Sequence, residues 1–392
     1  MSISLPAVSV GSTNWGSTVN GYWQTIQDVL NGLFGQNAII NGGFDFFQRQ
    51  PPATFTDIFV RSGGSWPSTR KYSADRWAVQ TNETLTNGHG VQARRYDSGL
   101  SVDTGQPKAG SFKRIVATGT IAVYQILESL DSVKFRGRKV CFQCKVKSKT
   151  NNQTVRLGIA KYSGTTPDLV VAKAIASATP WSANPTLGTD LAWLANSSDV
   201  TALTSGWTSA SVTADLTSET TFNNLLVFIY NSATTMAAGD ELLLSEAGLY
   251  DSVNTRDWFP RPIQQELAMC QRYYCKSYNV DVAPGNNGAG SYLDFMNRIV
   301  IAASTAGTLR IGRVAFLGSM RKAAPTVVLY AYDGSQNTIL INSMYAGNNR
   351  GGCTVLNLSE QGFADISVDN TSAIAIGADQ NLTFQFAADA EL

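Results

Sequence analysis

Histidine is almost absent from this sequence, since His89 is the only one among 392 residues. Serine and cysteine triads use an imidazole as the general base, and many zinc sites use histidine as a ligand. His89 lies in the glycine-flanked segment NGHGV, far from any nucleophile motif of the G-x-S-x-G kind. The sequence therefore argues against triad catalysis, and no catalytic residue is predicted.

Charged residues and long apolar runs are also scarce. Only 15% of residues are charged, the formal net charge is +1, and no run of lysine and arginine occurs. Nucleic-acid binding needs a concentrated basic surface, so no nucleic-acid partner is expected. No apolar stretch approaches the roughly 20 residues that span a bilayer, and no secretory signal is recognisable. We therefore expect synthesis in a cytosol and no membrane insertion.

The five cysteines are too few and too scattered for a disulfide framework. Cys141 and Cys144 form one C-x-x-C pair within KVCFQCKVK, but a zinc site would need a second pair. The segment alternates like a strand, with Cys144 on the apolar face and Cys141 on the other. The pair is therefore interpreted as part of a buried strand, and most thiols are expected to be reduced.

The residues that are abundant favour strands and turns. The chain has 34 glycines together with many serines, threonines and asparagines. Short alternating apolar segments are separated by turn residues at intervals of about 8 to 12 residues, which is typical of a sandwich or barrel. A chain of 392 residues is expected to hold two or three domains of about 100 to 200 residues each. The predicted fold class is all-β with short helices.

Two segments have helical periodicity instead. The first carries an apolar stripe formed by Val19, Trp23, Ile26, Leu30 and Leu33. The second follows Pro262 and carries Ile263, Leu267, Cys270 and Tyr274. Because isolated short helices are marginal in water, each stripe needs an apolar surface to cover. That surface is either the chain's own sandwich, a copy of the same helix in an oligomer or, for the first stripe, another protein.

Seven short motifs mark the region between residues 37 and 278. In chain order they are Ile40-Asn41-Gly42-Gly43-Phe44, Tyr72-Ser73-Ala74-Asp75-Arg76-Trp77, Tyr124-Gln125, Phe142-Gln143-Cys144-Lys145, Leu249-Tyr250, Phe259-Pro260-Arg261-Pro262, and Glu266-Leu267-Ala268-Met269-Cys270-Gln271-Arg272-Tyr273-Tyr274. Each is weak alone. Their order and spacing together resemble the carbohydrate-binding-module-like region of bacteriophage tail fibre and virion structural proteins.

The resemblance implies a four-part chain and a location in the virion, as a tail or capsid appendage. The parts are an N-terminal helical docking or oligomerisation segment (1–36), a jelly-roll-like, carbohydrate-binding-like β-sandwich (37–262), a linker helix (263–278) and a second C-terminal β-sandwich (279–392). It also implies a homotrimer, contact with other virion proteins through the N-terminal segment, and a host cell-surface glycan as ligand. The predicted function is non-enzymatic adhesion by a tail fibre.

Two other functions stay open. One is a structural role without a ligand, as a head fibre, a decoration protein or a tail adaptor. The other is a capsular polysaccharide depolymerase, because 29 acidic residues are too many for the sequence to exclude a catalytic carboxylate pair. Enzymatic spikes of the familiar type are long β-helices, however, and no repeating rung is visible in the sequence.

Aromatic side chains in loops are the predicted glycan contacts, because sugar C–H faces stack on indole and phenol rings. The candidates are Trp66, Trp181, Trp193, Tyr162 and Trp207. Two long insertions, 51–69 and 176–205, hold the first three. The alternative is that each ring covers an apolar seam within the fold or between subunits.

The predicted docking or oligomerisation contacts come from the two helical stripes. They are Val19, Trp23, Ile26, Leu30, Leu33, Ile263, Leu267 and Tyr274. No cofactor and no metal ion are predicted. Analogy with related sandwiches would place a structural calcium ion near Asn41, Asp45 and Glu246, but no acidic loop supports one.

Overall fold

The structure, a computed structural model, describes fifteen stretches of the chain. They are residues 37–50, 54–57, 71–81, 91–96, 108–115, 120–168, 174–176, 181, 183–232, 236–285, 297–301, 308–331, 333–341, 349–368 and 380–391. Strands predominate in these stretches, and helix is confined to two short segments. The prediction of an all-β fold with short helices is confirmed. The N-terminal segment 1–36 lies outside the described residues.

The first sandwich is formed by strands β1 to β13. They are β1 (Thr56–Asp57), β2 (Lys71–Tyr72), β3 (Ala78–Thr81), β4 (Val91–Tyr96), β5 (Ala109–Arg114), β6 (Ile121–Ile126), β7 (Lys139–Ser148), β8 (Gln153–Tyr162), β9 (Leu191–Asn196), β10 (Val200–Ala202), β11 (Thr208–Asp215), β12 (Asn224–Asn231) and β13 (Glu241–Tyr250). The front sheet has the order β1-β4-β5-β13-β7-β11. The back sheet has the order β10-β8-β12-β6-β3-β2, with β9 also paired to β8.

The core lies between the two sheets and is built by alternation along each strand. In β7, Phe142, Cys144 and Val146 face the core, while Cys141 lies outside this cluster, as the sequence predicts. All five cysteines are buried, and none of them forms a disulfide. Burial raises the pKa of the Cys353 thiol to about 11, which is typical of an unreactive cysteine.

The first motif forms a tight turn against strand β13. A Cβ atom on Gly42 would lie 2.2 Å from the Ala247 carbonyl oxygen, so this position accepts only glycine without rearrangement. The Asn41 side chain donates to the Phe46 carbonyl at 2.9 Å and to the Asp75 carbonyl at 3.0 Å. The ring of Phe44 stacks on Trp77, with the centroids 4.9 Å apart. The motif therefore fixes the core around Trp77, which is fully buried.

The two helices are short, and one prediction about them was wrong. α1 spans Ser129–Ser132, and α2 spans Ile263–Gln271. α2 begins directly after Pro262 as predicted, but it ends before Tyr274, which was assigned to its apolar stripe and to a linker helix reaching residue 278. Tyr274 instead opens a strand that pairs with Asp389. The pairing partner is distant in sequence, and aromatic residues suit strands, so tertiary contact overrides the helical periodicity.

The C-terminal region forms two further antiparallel sheets. Its strands are β14 (Tyr274–Lys276), β15 (Asn297–Ile301), β16 (Thr308–Ala315), β17 (Thr326–Tyr330), β18 (Ile339–Ile341), β19 (Asn349–Arg350), β20 (Thr354–Leu356), β21 (Gly362–Ser367) and β22 (Gln380–Asp389). One sheet is organised around β22, which pairs with β14, β15, β17 and β18; the other has the order β16-β21-β20. A separate apolar core includes Phe316, Phe363 and Phe384.

An ionic cluster, buried except for the 41% exposed side chain of Asp389, connects the C-terminal sheet to the first sandwich. This junction consists of Arg49, Asp75, Arg76, Asp389 and Glu391. Arg76 pairs with Glu391, donates to the Ile126 carbonyl at 2.5 Å, and lies 3.5 Å above the centroid of the Tyr273 ring. Two of the sequence motifs, which contain Arg76 and Tyr273, therefore meet here.

Candidate functional site

The two insertion tryptophans that are described do not lie in open loops. Trp181 is 6% exposed and donates its indole N–H to the Asn231 carbonyl at 2.7 Å. Trp193 lies on strand β9, packs on Phe228 with the centroids 5.0 Å apart, and donates to the Pro185 carbonyl at 3.0 Å. Both rings cover the outer face of the back sheet. Trp181 does not fit as a surface contact for a sugar, because it is buried and its N–H group is used within the fold. Trp193 is half-buried.

The other predicted glycan contacts differ in position. Tyr162 ends strand β8 and is buried in the same apolar cluster as Trp181, and burial raises the pKa of its hydroxyl. Trp207 is half-buried and immediately precedes β11. Trp66 lies outside the described residues. Of the four described rings, Tyr162, Trp181 and Trp193 therefore meet in one apolar cluster, and Trp207 is not part of it.

The predicted docking residues are also separated. Val19, Trp23, Ile26, Leu30 and Leu33 lie outside the described residues. Ile263 is 52% exposed at the start of α2, whereas Leu267 packs on a small cluster with Ile40 and Phe46. Most of the α2 stripe thus covers the chain's own sandwich. Ile263 and the neighbouring Phe259, which is 66% exposed, are left on the surface.

The outer face of the front sheet is a different kind of surface. Because Ala93, Phe112, Leu242 and Val146 face the core, their neighbours along each strand face outward. One cross-strand row contains Arg94, Ser111, Leu243 and Lys147. The adjacent row contains Gln92, Lys113, Glu241 and Lys149. Lys145 lies on the same side of β7, two residues before Lys147.

We name this surface the cationic face and define it by Arg94, Lys113, Lys145, Lys147 and Lys149. Its floor is fully covered, since Ser111 and Leu243 are 0% and 2% exposed. The side chains of Arg94, Lys145 and Lys149 are 23%, 29% and 41% exposed. Long cationic side chains thus lie over the sheet and keep their charged ends near water.

Two buried carboxylates anchor these cations. Glu241 accepts a hydrogen bond from Ser111 Oγ at 2.7 Å and pairs with Arg94 at 3.5 Å and with Lys149 at 3.4 Å. Glu246 pairs with Lys145 at 3.2 Å. Glu246 sits in a β-bulge with φ of 52°, which turns its side chain toward Lys145. Burial raises the pKa of Glu246, and Lys145 opposes that shift.

Aromatic rings also contact three of these cations, Arg94, Lys113 and Lys149. The Arg94 guanidinium carbon lies 4.2 Å from the centroid of the Phe55 ring. Lys113 Nζ lies 5.1 Å from the same centroid, and Lys149 Nζ lies 5.1 Å from the centroid of Tyr96. Cation–π contacts of this kind restrict the side chains, so the charges are held in place as well as concentrated.

In the described stretches, no group of three or more histidine, cysteine, aspartate or glutamate side chains is arranged to hold a metal ion. Of the suggested calcium donors, Asn41 is engaged in its own turn and Glu246 is paired with Lys145. No helix in the described part of the chain is long and apolar enough to cross a membrane.

Comparisons with known proteins give similarity only at the level of distant structures. No family model matches the chain, and no curated protein matches it. A carbohydrate-binding module, TmCBM61 in complex with β-1,4-galactotriose, is 11% identical, covers 55% of this chain and 99% of its own, and has a TM-score of 0.30. The tailspike protein 4 enzymatically active domain of bacteriophage CBA120 is 9% identical, with 49% and 21% coverage and a TM-score of 0.28. A cyclase from Fischerella sp. is 11% identical, with 56% and 99% coverage and a TM-score of 0.34.

Sequence reasoning missed the cationic face, although a signal for it was present. In the segment KVCFQCKVKSK, Lys145, Lys147 and Lys149 are two residues apart, so a strand places them on one face. The other two cations come from β4 and β5, and only sheet pairing brings them alongside. The net charge of the whole chain, which is near zero, gives no sign of this local concentration of lysine and arginine.

Proposed function

We propose that this chain is a non-enzymatic glycan-binding protein of a bacteriophage virion, a trimeric tail fibre that attaches to the host-cell surface. The cationic face is its proposed glycan site. One observation carries this assignment: the front sheet presents charged groups, amide groups and aromatic rings outward over a covered floor. Charged and amide groups hydrogen-bond sugar hydroxyls, and rings such as Tyr96 provide stacking surface.

The virion assignment is supported by the seven motifs and by their places in the fold. The Asn41 turn, Trp77 and Arg76 build the first core and the junction, so the motifs describe one structural unit. The proposed trimer is supported by the exposed apolar side chains Phe259 and Ile263. Three copies would present three cationic faces, and simultaneous binding raises the avidity of a weak single site.

Binding of the isolated protein tests the function. We expect the full chain to bind a subset of glycans on a bacterial glycan array and to adsorb to host cells. Loss of adsorption after enzymatic removal of the surface polysaccharide, with outer-membrane proteins intact, would support glycan recognition. Adsorption that is indifferent to that treatment would contradict it. Mass measurement in solution tests the trimer.

A structural role without a ligand is the second candidate, and the exposed pair Phe259 and Ile263 favours it, because such a patch also suits contact with another virion protein. Labelling of the chain on intact particles distinguishes a tail fibre from a capsid component. Incubation with host polysaccharide followed by a reducing-end assay tests the depolymerase alternative. Release of reducing ends would overturn the non-enzymatic assignment.

A further inference from the structure

We propose that the N-terminal segment packs back on the first sandwich of the same chain, with Leu30 and Leu33 lying against Phe259 and Ile263. We name Phe259 and Ile263 the entry patch. Residues 1–36 lie outside the described residues. Three features point to the contact: the apolar stripe of the segment, the point where the chain enters the sandwich, and the surface beside that point. The contact goes beyond the proposed function and is independent of glycan binding.

The chain enters the first sandwich at a fixed point. Asn37 is the first described residue, and its side chain donates to the Ala247 carbonyl at 3.0 Å and accepts from the Leu249 amide at 3.0 Å. The Arg261 guanidinium donates to the Asn37 carbonyl and to the Ile39 carbonyl, the latter at 2.9 Å. The N-terminal segment is therefore attached to the sandwich directly beside Arg261.

The entry patch flanks that point. Phe259 and Ile263 lie two residues before and two residues after Arg261, and they are 66% and 52% exposed. Arg261 is also paired with Glu266 of α2 at 2.9 Å, so the chain between the two apolar side chains is held against the entry point. Covering these side chains is favourable, because it removes apolar surface from water.

The apolar stripe of the segment lies within reach of the patch. Leu33 is four residues before Asn37, and an extended chain spans at most about 3.6 Å per residue, so the two Cα atoms are no more than about 14 Å apart. Leu30 is three residues further away, which is about 4.5 Å along a helix. Gly35 lies between Leu33 and Asn37 and allows the chain to turn there. One end of the stripe is thus tethered next to the patch.

The tether favours the chain's own segment over that of a neighbouring copy. A contact between tethered groups is intramolecular, and a short linker gives an effective concentration in roughly the millimolar range. An isolated short helix is marginal in water, so the predicted helix needs such a surface. The patch has two side chains and the stripe has five, so Val19 and Trp23 would remain available to neighbouring copies. Docking within one chain is therefore compatible with the proposed trimer.

Hydrogen–deuterium exchange of the full chain tests the contact. We expect the amides of residues 26–34 to be protected in the unaltered chain, and to exchange at least about tenfold faster when Phe259→Ser is combined with Ile263→Ser. The matched control is Leu130→Ser with Leu317→Ser, which alters side chains that are 79% and 67% exposed elsewhere on the surface. The control should leave the exchange of residues 26–34 unchanged. Circular dichroism of both variants shows whether the fold is retained.

A second variant changes the segment and leaves the patch intact. Leu30→Ala combined with Leu33→Ala should also accelerate the exchange of residues 26–34 at least about tenfold. Alanine is the strongest helix former, so faster exchange would report loss of the contact rather than loss of helix propensity.

Cysteine pairs identify the chain that supplies the segment. Leu30→Cys or Leu33→Cys, each combined with Ile263→Cys, should give an intramolecular disulfide in at least one pair under mild oxidation, since a disulfide needs Cα atoms within about 7 Å. Peptide mass spectrometry on protein of monomer mass detects this cross-link. The native cysteines are buried and should not compete. A mixture of Leu33→Cys protein with Ile263→Cys protein should give no cross-linked dimer.

Every other outcome overturns the proposal. Unprotected amides in residues 26–34 of the unaltered chain, or protection that persists in the patch variant, would show that the segment does not pack on the patch. Equal acceleration in the patch variant and its control removes the assignment to the patch, and so does the absence of a cross-link in both cysteine pairs. Cross-linked dimers in the mixture would assign the patch to a neighbouring copy. Because no glycan is used, each of these failures leaves the proposed glycan recognition untouched.

Discussion

The outer faces of the two sheets of the first sandwich have opposite chemistry. The back sheet presents Tyr124, Phe228 and Tyr230, which are covered by Trp181 and by Trp193 from β9. The front sheet presents the cationic face. Aromatic residues thus mark the covered face of the sandwich, and charged residues mark the open one. The aromatic content of an insertion is therefore a poor guide to a sugar site when a bare apolar sheet lies beside it.

The charged residues of this protein also fall into two classes, buried ones at the junction and partly exposed ones on the cationic face. The junction holds Arg76 and Glu391 with side-chain exposures of 1% and 4%. The cationic face keeps its ammonium groups close to water. Buried ions are held by each other, since removing one partner leaves the other desolvated, whereas partly exposed ions interact more weakly with their neighbours. The two classes should respond very differently to mutation.

The largest effect is expected at the junction. Arg76→Ala leaves the Glu391 carboxylate buried without its main partner, so the free energy of unfolding should fall by about 3 to 5 kcal/mol. Chemical denaturation measures this change. The control is Lys134→Ala, which removes an exposed pair with Asp131 and should cost no more than about 1 kcal/mol. Similar losses in the two variants would contradict the distinction between buried and exposed charge.

The next largest effect is expected on the back sheet. Trp181→Ala should lower the free energy of unfolding by about 3 kcal/mol, because it removes a buried indole and leaves the Asn231 carbonyl without its donor. Affinity for polysaccharide should be unchanged when the variant is folded. Isothermal titration together with denaturation separates the two effects. Lost glycan binding at full stability would restore Trp181 as a sugar contact.

A pH effect of intermediate size is expected from Lys276. Lys276 is 1% exposed, and burial lowers its pKa to about 8, although Asp75 opposes the shift. Between about pH 8 and its unfolded pKa of 10.5, the folded chain loses this proton while the unfolded chain keeps it, so stability rises with pH. From pH 8 to 10 the gain should approach about 2 kcal/mol. Lys276→Met should abolish this part of the slope in denaturation curves, and an unchanged slope would assign it to other groups.

The smallest effect is expected at the edge of the cationic face. Glu246→Gln removes the partner of Lys145, whose side chain is 29% exposed, so the free energy of unfolding should change by less than about 1 kcal/mol. Chemical denaturation measures this change. Glu219→Gln, which releases Lys161 on the back sheet, is the control and should give a similarly small change. A much larger loss with Glu246→Gln would contradict the weak interaction expected of a partly exposed ion pair.

Much of the fold could be predicted from local patterns, because alternation and turn residues act over a few positions. KVCFQCKVK formed the expected strand, Trp77 is in the core, and α2 starts after Pro262. The failures involve partners that are distant along the chain. Tyr274 joined a strand because Asp389 pairs with it, and Trp193 entered β9 because β8 lies alongside. Neither partner could be inferred from the neighbouring sequence.

The candidate site, like the fold, could be predicted from the sequence only in part. Period-two patterning was sufficient to place Lys145, Lys147 and Lys149 on one side of a strand, and the scarcity of histidine was sufficient to argue against a triad. Only the tertiary structure decided that this side faces outward, that Arg94 and Lys113 lie next to it, and that Trp181 is buried. The physical reason is that the period of a strand is local, whereas the choice of neighbouring strand and of buried face depends on contacts between residues far apart in the chain.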